Sequence, residues 1–147
     1  MGSEKNIPGT LALPLGLRAQ VLEKTKDSGV YEFTVPESCP YFDGHFPEYR
    51  VLPAVAQVDL IWTCGMDLVE GSFRQNHEDP AGKDPNKPDF FPGDVRRIKF
   101  SRIITPGTKL RLELKLDRLK KSLRFLLISP EDNKPCSTGT INFEVER

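Results

Sequence analysis

Residues 53–69 read PAVAQVDLIWTCGMDLV, and the fold turns on how they are read. Pro53 suits the first position of a helix, where its missing N–H costs little. The spacing then predicts a helix over residues 54–69. Its apolar positions are Val55, Val58, Leu60, Ile61, Trp62, Met66, Leu68 and Val69, which cover several faces. A surface helix shows one apolar stripe, so a helix of this kind is expected to be wrapped by other structure. Gly65 weakens it locally and blurs the position of its end.

The wrapping comes from the flanks. Downstream, residues 109–116 read KLRLELKL, in which Leu110, Leu112, Leu114 and Leu116 alternate with Arg111, Glu113 and Lys115. A period of two marks a strand with one face buried. We expect this strand over residues 109–119, with others at 95–104, 124–129 and 138–145. Pro106-Gly107 separates the first two. Upstream, residues 18–24 and 30–35 read as strands joined by a turn at Asp27-Ser28-Gly29. The order is two strands, one buried helix and four strands. It predicts an α+β fold in which a curved antiparallel sheet wraps a long central helix. Strict alternation argues against a parallel βαβ sheet, whose strands are apolar on both faces. No GxGxxG or GxxxxGK segment supports nucleotide binding.

The 147 residues suffice for one core, and we read 1–147 as a single domain. Within it, residues 71–93 form a polar stretch expected to be an exposed insertion or long loop. His77 reads there as a solvated loop histidine. Asp84 and Asp89 offer no ligand spacing for a metal beside it. Lys and Arg total 21 and Asp and Glu total 21, so bulk charge gives no attraction to nucleic acid or anionic lipid. Cys39, Cys64 and Cys136 are scattered and odd in number, which points to a reducing compartment. The first nine residues are polar with no signal-peptide pattern, and no apolar run approaches bilayer length. A cytoplasmic location is expected.

Two residues stand out chemically. His45 lies in the aromatic and Pro-rich turn Tyr41-Phe42-Asp43-Gly44-His45-Phe46-Pro47. Apolar neighbours there would favour neutral imidazole, a proton acceptor near neutral pH. The same histidine could merely cap the chain reversal. Asp59 sits inside the apolar helix, where a carboxylate is costly unless bonded. Thr63, one turn later, could bond it within a core polar network; alternatively Asp59 faces a cavity as a partly desolvated acid. A symmetric dimer could bring His45 of one chain to Asp59 of the other.

The stretch YFDGHFPEYRVLPAVAQVDL at 41–60 resembles the active-site segment of bacterial beta-hydroxyacyl-acyl-carrier-protein dehydratases. Gly44-His45-Phe46-Pro47, Pro53 and Asp59 match that family's catalytic turn, helix-starting proline and helical acid. At the acidic position Asp59 is similar to the dehydratase-isomerase branch rather than the branch carrying Glu. Lys99-Phe100 followed by Pro106-Gly107 resembles the family's strand and turn. The likeness runs from about Arg18 to Val145. Glu48, Tyr49 and Arg50 replace small residues, and Ala54 replaces the glycine at the helix start, departures that bear on substrate range more than fold.

This resemblance implies a hot-dog fold and the dehydration of 3-hydroxyacyl thioesters carried on acyl carrier protein, as in fatty-acid or related lipid metabolism. It implies His45 as base, Asp59 as acid, and the Ala54 N–H as donor to the thioester oxygen. Phe46, Pro53 and Val55 would line the substrate. No organic cofactor and no metal is needed. The expected partners are an acyl carrier protein and further copies of the chain, as a homodimer or an assembly of dimers, with no nucleic acid and no membrane insertion. Arg96, Arg97, Lys99 and Arg102 are candidates for carrier docking as a cluster, while each taken individually reads as part of a solvated strand face. The alternatives on the same fold are a thioesterase and a non-catalytic carrier-binding module; a double-bond isomerase is a further possibility.

Overall fold

The computed structural model describes residues 9–42, 51–74 and 89–146. The elements are β1 (Thr10–Ala12), β2 (Arg18–Lys24), β3 (Ser28–Thr34), α1 (Ala54–Arg74), β4 (Asp89–Phe100), β5 (Lys109–Asp117), β6 (Ser122–Ser129) and β7 (Lys134–Glu146). Every strand pairing is antiparallel, in the order β1-β2-β3-β5-β6-β7-β4. The sheet is curved and carries α1 on one face, which is the hot-dog fold.

The alternation in β5 does what its period requires. Leu110, Leu112, Leu114 and Leu116 are buried, and Lys109, Lys115 and Asp117 are exposed on the other face. Leu123, Phe125 and Leu127 of β6 and Ile141 and Phe143 of β7 extend the same apolar surface. Against it α1 sets Ala56, Leu60, Ile61, Cys64 and Leu68. Each fully buried leucine or isoleucine here contributes roughly 1.5–3 kcal/mol. Gly65 lets the helix come close: a Cβ there would lie 2.7 Å from Leu123 Cδ1.

The helix differs from its expected form in two ways. It runs to Arg74 rather than ending near Val69, and Val69 and Ser72 are buried in that last stretch, so packing carries it through Gly71. It is also not enclosed within one chain. Val55 is 81% exposed, while Val58, Trp62 and Met66 are half-buried, because a single sheet covers only one side of a helix. The polar stretch at 71–93 contributes its first four residues to α1 and its last five to β4, while 75–88, with His77 and Asp84, lies outside the described residues.

Strand bounds shift at the ends. β4 starts at Asp89 and stops at Phe100 instead of spanning 95–104; β6 and β7 begin earlier than expected, and β5 stops at Asp117. β1 is an additional strand, three residues long, paired to Arg18, Ala19 and Gln20 of β2. Three residues are too few to show a period. At the opposite edge β4 offers twelve residues with one side unpaired. Among the described residues no helix is long and apolar enough to cross a membrane.

Candidate active site

The approach to α1 begins at a short 3-10 turn, Pro40–Phe42. The Cys39 N–H donates to Pro36 O at 3.0 Å and the Phe42 N–H to Cys39 O at 3.1 Å. Cys39 and Phe42 are buried, which fixes the turn on the core and turns Tyr41 partly outward. Residues 43–50 follow, and His45 and Phe46 therefore lie outside the described residues. The chain re-enters at Val51. There the Leu52 N–H donates to Ile104 O at 2.7 Å, and the buried Gln57 amide donates to Leu52 O at 3.2 Å. These bonds tie the start of the helix to the segment after β4.

Pro53 is half-buried and immediately precedes the helix, whose first residues, Ala54 and Val55, are exposed. The first N–H groups of a helix have no intrahelical acceptor and carry the positive end of its dipole. Among the described residues the non-glycine positions with positive φ are Leu15, Arg97, Lys121 and Asn133. Ala54 is not one of them, so its backbone does not require glycine and its Cβ meets no dihedral penalty.

Asp59 is exposed on α1 in the single chain, since it lies on the side that the sheet leaves open. Thr63 does not reach its carboxyl; the Thr63 hydroxyl donates instead to the Asp59 backbone oxygen at 2.9 Å. The carboxyl is met by Tyr41, whose OH donates to Asp59 Oδ2 at 2.7 Å. Burial pushes the Tyr41 phenol above its ordinary range, and the hydrogen bond and charge of Asp59 add to this. Tyr41 thus stays protonated and remains a donor. Sequence reading placed Tyr41 among apolar neighbours of His45 and missed its hydroxyl, because a bond spanning 18 residues leaves no local pattern.

The second helical acid behaves differently. Asp67 accepts from the Tyr31 OH at 2.9 Å and pairs with Lys24 Nζ at 2.9 Å. Tyr31 is fully buried, and burial followed by the Asp67 charge raises its phenol. Asp67 thereby links β2 and β3 to α1, a structural use of a carboxylate, whereas Asp59 is exposed on the helix flank.

On the sheet face away from α1 lies a cavity of about 710 Å³. Arg96 and Arg97 of β4, Lys115 of β5, Lys120 and Lys121 of the β5–β6 turn, and Arg124 of β6 line it. Asp117 is the one carboxylate in the lining, against these six cations. Arg96 has a distant ion pair with Asp94 at 3.8 Å; the other five cations make none with a described residue. Two of the four residues expected to dock a carrier, Arg96 and Arg97, are here. Lys99 and Arg102 do not line the cavity, and Arg102 is engaged by Asp132 at 2.8 Å, which lowers the Asp132 carboxyl below its usual range. Lys115, Lys120, Lys121 and Arg124 join through the β4–β7, β5–β6 and β6–β7 pairings, which local sequence does not display.

Among known proteins, a family model described as ApeI-like, the ApeI dehydratase, matches residues 21–140. The 3-hydroxyacyl-[acyl-carrier-protein] dehydratase FabZ of Clostridium perfringens is 32% identical over 133 residues, covering 90% of this chain and 88% of the relative. The FabZ of Exiguobacterium sibiricum is 33% identical over 126 residues, covering 86% and 75%. Of solved structures, the dehydratase heterocomplex ApeI:P from Xenorhabdus doucetiae aligns with a TM-score of 0.58 at 21% identity, over 86% of this chain and 96% of that one. A hypothetical thioesterase protein with coenzyme A from Streptococcus pneumoniae aligns with a TM-score of 0.62 at 10% identity, over 88% of each chain, a likeness of fold alone.

Proposed function

Because the chain belongs to the ApeI-like dehydratase family, we propose that it removes water from a 3-hydroxyacyl thioester carried on acyl carrier protein, giving the trans-2-enoyl thioester. The observation that carries this reading is Asp59, an exposed carboxyl on the open face of α1 near the helix N-terminus. In the step itself, His45 takes the C2 proton. The electron pair left behind forms the C2–C3 double bond as the C3–O bond breaks. The hydroxyl leaves with the Asp59 proton as water, and the proton held on His45 returns to Asp59 through solvent before the next turnover. Charge that builds on the thioester oxygen is met by the Ala54 N–H and the helix N-terminus, with Pro53, Val55 and Phe46 against the acyl chain.

The acting unit in this proposal is a homodimer. The long unpaired edge of β4 offers main-chain donors and acceptors, and Phe91, Val95 and Phe100 on it, with Ile103 just beyond, are exposed. An edge of this kind is a template for pairing with another strand. His45 of one chain and Asp59 of the other would then share a site. The carrier docks on the six cations of the basic cavity, which suit an acidic protein surface and a phosphopantetheine phosphate.

Product analysis tests the reaction. Purified protein incubated with a chain-length panel of 3-hydroxyacyl carrier proteins should release the enoyl thioester, and Asp59→Asn should lower kcat by roughly 10²–10⁴-fold, the usual contribution of a general acid. Free-acid release without enoyl product would replace dehydration by hydrolysis. Carrier binding with no conversion would replace it by a binding module.

A further inference from the structure

We propose that Tyr41 is a positioning residue that holds the Asp59 carboxyl in one rotamer and assigns its two oxygens different tasks. The inference rests on the reading of Asp59 as the acid of the reaction. A carboxylate on an exposed helix face ordinarily samples several rotamers, and ordering a side chain costs conformational entropy. Among the described residues, the Tyr41 OH is the hydrogen-bond partner of the Asp59 carboxyl, at 2.7 Å, since Thr63 is occupied with the backbone oxygen.

The donor is itself held from a firm base. Tyr41 lies between Pro40 and the buried Phe42 in a 3-10 turn closed by the Phe42 N–H bond to Cys39 O, and the buried Cys39, itself bonded to Pro36 O, anchors the entry to that turn. Its ring packs on the core edge, so the phenol presents its hydroxyl from a fixed direction. The raised ionisation of that phenol keeps the proton on Tyr41, so donation runs from tyrosine to carboxyl. With Oδ2 accepting from Tyr41, Oδ1 is the oxygen left to carry a proton toward a substrate hydroxyl. A pre-oriented acid of this kind saves reorganisation when the C3–O bond breaks.

Tyr41→Phe keeps the ring and removes only the hydroxyl. Bonds to a charged partner are worth about 1.5–3 kcal/mol, so kcat should fall at least roughly tenfold while KM stays within about twofold. In an Asp59→Asn background the same change should alter residual kcat by less than about twofold, because the group it positions is gone. An unchanged kcat in Tyr41→Phe overturns the proposal. So does an equal fractional loss in both backgrounds, which would make the bond a simple tether between turn and helix. Full turnover in Asp59→Asn would remove the acid itself, and the positioning role with it, a failure distinct from the first two.

Discussion

Arg97 and Lys121 hold left-handed backbone, with φ of 54° and 53°, and both line the basic cavity. Such a conformation costs a non-glycine residue roughly 1–2 kcal/mol. At Arg97 it accompanies the irregular β4–β7 register between Arg96 and Lys99, which turns the arginine away from the regular strand direction. Lys121→Gly should relieve the strain. Allowing for the entropy of glycine, stability should rise by about 0.5–1 kcal/mol, read as a higher Tm by calorimetry, while KM for carrier-linked substrate rises. A lower Tm would show that the lysine side chain contributes more than its backbone costs. Arg102 is the contrasting case: an exposed pair with Asp132 is worth little, and the residue is spent on the β6–β7 turn. At this scale Asp59 was legible, because an acid flanked by apolar helix residues demands an explanation. Its partner Tyr41 was not, because a side-chain bond between segments has no signature in either one.

Among the elements, β5 was the most legible and α1 the most informative. Strict alternation left one assignment for β5, and its bounds shifted only at the turn after Asp117. For α1 the onset at Ala54 followed from Pro53, but the C-terminal end did not, since Val69 and Ser72 are kept helical by packing rather than by their own preferences. Close approach between elements depends on Gly139 in β7 as well as on Gly65 in α1. A Cβ at Gly139 would lie 2.9 Å from the ring of the buried Phe125 and 3.1 Å from the Ile98 Cα. Neither the ring nor the backbone can yield freely, so Gly139→Ala should destabilise by about 1–3 kcal/mol. Urea unfolding should show a lower midpoint with an unchanged m-value; an unchanged midpoint would mean that β6 and β7 can separate without cost.

For the whole molecule, the exposed apolar residues are unevenly spread. Phe91, Val95 and Phe100 lie on the edge strand β4, Ile103 follows it and Val55 opens the helix, while Leu15 and Leu119 stand apart in turns. One chain therefore leaves both a sheet edge and a helix flank uncovered. Lysine on an edge strand opposes edge-to-edge pairing. If the proposed dimer forms through this edge, Val95→Lys should accordingly shift it from dimer to monomer in sedimentation experiments at micromolar concentration, and a wild-type protein that already sediments as a monomer removes the proposed dimer. If the site spans two chains, turnover should fall with it; a fully active monomer would place His45 and Asp59 in the same chain.

The sequence by itself determined the α+β class, the antiparallel sheet, the start of the central helix and the family, because periodicity, a helix-starting proline and the run from Gly44 to Asp59 are local properties of the chain. Tertiary structure alone decided that Asp59 faces outward onto the Tyr41 hydroxyl and that the cations of four separate segments surround one cavity. It also decided which flank of α1 the sheet leaves bare. These depend on strand register and on contacts between residues distant in the chain. No residue type or spacing encodes them until the sheet has closed on the helix.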